Sequence, residues 1–231
     1  SEFSKLLMII CMAKMLESRY NKLDTFKSLV VPILYVGIPI LLVFMQPDLG
    51  TSLVYIAIFV GMLFVSGIRL RLVRIIATVG VLLMPLAWFV LKDYQKQRIL
   101  VFMNPDIDPF GSGYHIIQSK IAIGSGTIFG KGLFNGTQSQ LNFLPENHTD
   151  FIFSVIGEEL GFIGCIFVLI LLFMLIYRSI KVAYSCNDRF GMLLATGIGS
   201  MLCFEVLVNA GMTMGIMPVT GIPLPFISYG V

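Results

Sequence analysis

Five stretches of this chain, residues 29–45, 51–68, 73–91, 151–177 and 192–217, are apolar over enough length to cross a bilayer, which leaves few folds open. In hydrocarbon every backbone N–H and C=O must find a partner inside the protein, so such runs become helices. A span takes about 20 residues, and about 17 is tolerated. Hydrophobic residues make up 57% of the 231 and charged ones 13%, with a mean hydropathy of +0.90; soluble domains use roughly 45–50% apolar residues. The expected fold is an all-α, polytopic transmembrane helical bundle forming a single membrane domain over residues 1–231. A shorter run, 3–15, reads as a half-helix or a clipped one. Pro32, Pro39 and Pro85 fall inside apolar runs and predict kinks rather than breaks. The chain starts on Ser1 and its last pattern stops at Val231, which suggests an internal piece of a longer protein.

A net charge of +3 matters less than where the charges fall. Lys14, Arg19, Lys22 and Lys27 occupy the first loop, Arg69, Arg71 and Arg74 the third, and Arg178, Lys181 and Arg189 the fifth. Short loops rich in Lys and Arg stay on the cytoplasmic side, so residues 46–50, the long segment 92–150 and the turn 218–230 are expected on the outer side of a cytoplasmic membrane. Five basic residues in 92–150 run against this assignment, but long loops count less in the rule. No basic face interleaved with aromatics points to nucleic acid. Cys11, Cys165, Cys186 and Cys203 lie in apolar runs or a basic loop, with no disulfide or zinc pattern.

The segment 92–150 has its own apolar residues at 101–103, 115–123 and 141–144. Its glycine-rich stretches 111–113 and 124–132 read as tight reversals between short helical or re-entrant pieces. The Gly124–Gly132 run is not a phosphate loop: three residues separate Gly126 from Gly130 where four are needed, and Gly132 replaces the magnesium-binding Ser or Thr. Its glycines read as turn or close-packing residues. Two glycosylation sequons, at 135–137 and 147–149, carry little weight.

The chemistry concentrates at residues 144–153, Leu-Pro-Glu-Asn-His-Thr-Asp-Phe-Ile-Phe, where Asp150 stands at the edge of an apolar run. A carboxylate at that level has lost part of its hydration and is a functional candidate, although with Thr149 it could simply cap the helix beginning at Phe151. Glu146 and His148 share its segment, as do the cations Arg98, Lys120 and Lys131, so a proton acceptor and a phosphate-binding set occur together. Asp48 reads as a helix cap in a reversal or as an acid facing the same outer cavity. Glu158, Glu159 and Glu205 lie within apolar helices, where each needs a partner, neutralisation or a wet cavity. Pairing inside the bundle is the simpler reading for Glu205, whereas Glu159 stays open between pairing and lining a substrate groove.

Six stretches in order resemble the SEDS family of bacterial membrane proteins: Ser-Glu-Phe-Ser-Lys at 1–5, Gln-Pro-Asp-Leu-Gly-Thr-Ser at 46–52, Gly-Tyr-His-Ile-Ile-Gln-Ser-Lys at 113–120, Asn-Gly-Thr-Gln-Ser-Gln at 135–140, the 144–153 stretch, and Pro-Leu-Pro-Phe-Ile-Ser-Tyr-Gly at 223–230. Residues 136–140 favour the rod-shape branch over the division branch. The resemblance implies a ten-helix protein covered here from about the fourth helix to the start of the tenth. It also implies peptidoglycan glycosyltransferase activity on lipid II, for cell-wall elongation, alongside a class B penicillin-binding protein. Asp150 matches the family's functional acid, and Glu2, Lys5 and Asp48 match polar positions that it keeps within the bundle. A divalent cation, Mg²⁺ or Mn²⁺, is implied for the substrate's diphosphate, and hydrocarbon grooves for its polyprenyl tail. Val231 departs from the pattern, where a second glycine is usual.

Two other classes compete. A lipid II flippase would rely on intramembrane acids such as Glu159 and Glu205, and a scaffold would need no surface carboxylate. The edge position of Asp150 favours the enzyme.

Overall fold

The apolar runs become helices because hydrocarbon leaves the backbone no other partner. The computed structural model describes residues 2–21, 23, 26–46, 48–108, 111–141, 143–144 and 148–229. In chain order the helices are α1 (Glu2–Ser18), α2 (Phe26–Met45), α3 (Leu49–Val65), α4 (Leu70–Val90), α5 (Asp93–Met103), a 3₁₀ turn (Pro105–Ile107), α6 (Ser112–Gly126), α7 (Thr137–Gln140), α8 (Ile152–Ser185) and α9 (Arg189–Thr213). No strand occurs among the described residues. Helices from Lys27, Ile152 and Arg189 meet the length and hydropathy needed to cross a membrane, while α3 is apolar but shorter. The protein is a multi-pass, all-α membrane protein. As expected, α2 continues through Pro32 and Pro39, and α4 through Pro85.

Two compact units divide the chain: Ser1–Val90 with Met174–Phe204, and Leu91–Phe173 with Glu205–Gly230. In the first, Ile9, Met12 and Leu16 of α1 are buried, as are Tyr55, Ile58 and Met62 of α3. The Tyr55 hydroxyl donates to Ser4 Oγ at 2.7 Å. Small residues allow α9 to approach closely: a β-carbon at Gly61 would overlap Ser200 Oγ, and one at Gly197 would lie 2.7 Å from Ile9 Cγ2. Such contacts suit membrane helices, whose association rests on van der Waals packing rather than on excluding water. An apolar groove of about 420 Å³ runs between α2, α3 and α4, past Val36, Phe59 and Leu63.

Two expected helix ends fall earlier. The run 51–68 stops being helical at Val65, because Ser66 caps it and Gly67 turns at φ 84°. The run 192–217 ends at Thr213, where Gly215 (φ 69°) opens a turn.

The largest correction concerns 151–177, which is not one regular span. It extends to Ser185, and at Gly161 (φ 67°, ψ −163°) the backbone leaves helical geometry altogether. A break here deprives the carbonyls of Glu158 and Glu159 and the N–H groups of Phe162 and Ile163 of their i→i−4 partners. The loop after α6 replaces all four. Lys131 N–H donates to Glu158 O and Gly132 N–H to Glu159 O, both at 3.0 Å, while Thr127 O and Ile128 O accept from Phe162 and Ile163 at 3.0 and 3.2 Å. This exchange needs backbone against backbone. A β-carbon at Gly126 would overlap the Gly157 carbonyl, and one at Gly130 would overlap that of Glu159. The glycines of 124–132 are therefore turn and close-packing residues, as the sequence suggested, with α6 running on to Gly126 before the reversal.

Candidate active site

The second unit builds a cradle around His148, Thr149 and Asp150. The chain enters α8 here. Phe151 and Phe153 are buried and anchor the turn, the His115 ring from α6 lies 6.1 Å from that of Phe151, and Ser154 N–H closes the first turn onto Phe151 O at 2.9 Å. The carbonyls of the three residues are then taken by donors far away in sequence. Tyr229 N–H donates to His148 O at 2.8 Å, the Ser228 hydroxyl to Thr149 O at 2.7 Å, and Asn209 Nδ2 to Asp150 O at 2.9 Å.

Asn209 is fully buried on α9, and its amide also donates to Ile222 O at 2.7 Å. Both amide hydrogens are thus used on carbonyls, which only this orientation of the side chain permits. Ser228 plays a similar double part: besides donating to Thr149, its oxygen accepts from Leu224 N–H at 2.7 Å and closes the loop at Pro225. Buried Ile222 and Leu224 fix that loop from below. The Asp150 carboxylate is half-buried and rests against Gly221 (φ 73°), where a β-carbon would lie 3.5 Å from Oδ2.

Lys120 on α6 rests against the same post-α9 segment, its side chain running across Gly215 so closely that a β-carbon there would overlap Cε. Its neighbour Ser119 ties three elements together: it donates to Thr213 O at 2.6 Å and lies 2.6 Å from Ser154 Oγ, which must then be the donor. Arg98 is half-buried on α5.

Lys131 is engaged elsewhere. Its ammonium donates to Glu158 Oε1 at 2.8 Å and to Thr137 at 2.9 Å. The Glu158 carboxylate, fully buried, also accepts from the backbone N–H groups of Gln138 (3.0 Å) and Ser139 (3.2 Å), at the start of α7. Of the partner, neutralisation or wet cavity that an acid in an apolar helix needs, Glu158 has the partner. Glu159 is half-exposed, and its carbonyl belongs to the α8 repair described above.

The remaining candidates lie in the first unit. Asp48 caps α3, accepting from Thr51 N–H at 2.9 Å and the Thr51 hydroxyl at 2.6 Å. Glu2 ion-pairs with Lys5 one turn along α1, and Lys5 is almost wholly buried. Glu146 lies outside the described residues.

A profile of the FTSW_RODA_SPOVE family, described as cell cycle protein, matches residues 1–231. The chain belongs to this family. Among its relatives, peptidoglycan glycosyltransferase MrdB of Escherichia coli K12 is 47% identical over 207 residues, covering 89% of this chain and 56% of that protein. Stage V sporulation protein E of Bacillus subtilis 168 is 42% identical over 232 residues, 100% of this chain and 63% of that one. Two solved structures are similar: a chain from a peptidoglycan synthase complex that coordinates polymerization and crosslinking (TM-score 0.79, 34% identity, 99% of this chain and 63% of that one), and RodA of Thermus thermophilus (TM-score 0.64, 31% identity, 99% and 58%). The chain thus spans roughly three-fifths of its relatives' length.

Membership of the FtsW/RodA/SpoVE family gives a context to what sequence reasoning passed over. Asn209 and Ser228 went unnamed as site residues: one polar residue in an apolar helix has many bland explanations, and its partners lie far off in sequence. For Asn209 the available signal is an amide in a run otherwise fit for a membrane, since a group placed there needs partners, and Ser228 lies in the 223–230 stretch that resembles the family.

Proposed function

We propose that the full-length protein is a peptidoglycan glycosyltransferase that polymerises lipid II on the outer face of the bacterial cytoplasmic membrane, with Asp150 as general base. The observation that carries this reading is the triple hold on residues 148–150. An acid that only capped a helix would not need its backbone fixed by Asn209, Ser228 and Tyr229. A catalytic base must be held within about 0.5 Å of its productive position, and rigid support of this kind provides that.

In the reaction the acceptor sugar's 4-hydroxyl attacks the anomeric carbon of a donor linked through an α-diphosphate. A C–O bond to the hydroxyl oxygen forms as the bond to the diphosphate oxygen breaks, inverting the carbon to the β-1,4 linkage. Asp150 accepts the hydroxyl proton. The departing diphosphate carries negative charge, for which Lys120 and Arg98 are the cations of choice, because Lys131 is committed to Glu158. Mg²⁺ or Mn²⁺ would arrive with the diphosphate, because no three His, Cys, Asp or Glu side chains converge among the described residues. A class B penicillin-binding protein is the partner proposed for crosslinking the product. The similarity to a chain of a peptidoglycan synthase complex that coordinates polymerization and crosslinking supports this choice.

The test uses the full-length protein with its partner and labelled lipid II, resolving glycan products on a gel. Asp150→Asn should fold, bind lipid II and make no polymer. Wild-type polymer from Asp150→Asn would overturn the proposal, and lipid scrambling retained by the polymer-dead variant would add a transport activity.

A further inference from the structure

The loop joining α6 to α7 turns its apolar side chains outward. Ile128, Phe129, Leu133 and Phe134 are all exposed, the two phenylalanines at 79% each. In water that patch would be costly, since each large side chain left unburied forfeits about 1.5–3 kcal/mol.

The loop has the features of a segment built for hydrocarbon. Its backbone is paired with α8 across Gly161 through four hydrogen bonds, two accepted by Thr127 and Ile128 and two donated by Lys131 and Gly132. Between residues 127 and 136 the one charged side chain is Lys131, and it turns inward to the buried Glu158. Depth follows from the same pairing. Thr127 O meets the N–H of Phe162, which lies ~24 Å along the helix from Arg178 at ~1.5 Å per residue. With Arg178 at one edge of a hydrocarbon core ~30 Å thick, the level of Phe162 falls inside it. Around that level α8 presents exposed Phe162, Ile163 and Phe167, so the loop's apolar patch continues a face that a membrane span turns to lipid.

We propose that residues 127–134 form a re-entrant loop embedded in the membrane leaflet on the Asp150 side, where Ile128, Phe129, Leu133 and Phe134 contact phospholipid acyl chains. The Lys131–Glu158 pair permits this insertion by removing the loop's one charge from the lipid. The inference rests on the chain's being a membrane protein and is independent of its catalytic activity.

The experiment places a cysteine at Phe129 or Phe134 in the full-length protein, with other accessible cysteines replaced, and labels it with an environment-sensitive fluorophore. Asp106→Cys, on an exposed polar turn, serves as the aqueous control. Reconstituted in phosphatidylethanolamine–phosphatidylglycerol vesicles, labels at 129 and 134 should emit to the blue of the control, be quenched by doxyl-labelled phospholipids and resist iodide. Both labelled proteins should melt with the wild type, because these side chains leave the packed interior untouched. Iodide quenching equal to that at position 106 would overturn the proposal. So would shielding that appears only after the partner protein is added, which would make the patch a protein-docking surface.

Discussion

Asn209 Nδ2 lies 2.9 Å from the carbonyl oxygen of Asp150 and 2.7 Å from that of Ile222, so one buried amide ties the candidate base to the loop on which its carboxylate rests. Asn209→Ala leaves both carbonyls without this donor and frees the turn to shift. Polymerisation kcat should fall about 10–100-fold, the scale of a 1 Å misplacement, with KM for lipid II nearly unchanged. Kinetics on variant and wild type at equal folded fraction check this; a loss explained wholly by unfolded protein would reduce Asn209 to a structural residue.

The Lys131–Glu158 pair should respond asymmetrically. Lys131→Met strands a fully buried carboxylate, at a cost of about 3–5 kcal/mol. Glu158→Gln leaves a cation that keeps its bond to the Thr137 hydroxyl and can snorkel toward the headgroups, and it retains an acceptor for the Gln138 N–H, so about 1–3 kcal/mol is expected. Thermal inactivation half-lives in detergent rank the two, and the reverse order would contradict this account.

Two glycines make a matched pair for the repaired break in α8. Gly161→Ala places a β-carbon against the Gly130 N–H at a backbone angle suited to glycine, costing about 2–6 kcal/mol from strain and overlap together. Gly124→Ala, within α6 and with open space around it, should be neutral or stabilise by up to ~1 kcal/mol. Similar melting of both variants would show that the close approach at Gly161 is dispensable.

Lys120 is the cation resting on the segment that also carries Asp150's contact. Lys120→Met should raise KM for lipid II about tenfold, equivalent to ~1.4 kcal/mol of lost charge-assisted binding, and leave the melting behaviour of the protein intact. A titration of wild type and variant with labelled lipid II decides between this and an unchanged affinity.

Run length and hydropathy place the long apolar helices, because the membrane requirement acts on each segment alone. The Asp48 cap was equally local, as its partners are three and four residues away. Glu158 needs a partner on any reading of its apolar helix, but nothing in the sequence marks Lys131, 27 residues away and one of three candidate cations for a phosphate, as that partner. The break at Gly161 left no mark in the hydropathy pattern, since Phe162, Ile163 and their successors are apolar on either reading.

By itself the sequence determined that this chain forms helices fit to cross a membrane and bears an acid at the start of an apolar run, since burial of apolar length and of charge are costs that each segment meets on its own. Tertiary structure decided which donors hold residues 148–150, which cation Glu158 takes, and that a broken helix survives by borrowing four hydrogen bonds from a loop. Those outcomes depend on groups brought together from distant parts of the chain, and a hydrogen bond's strength is set by its geometry, which sequence spacing does not encode.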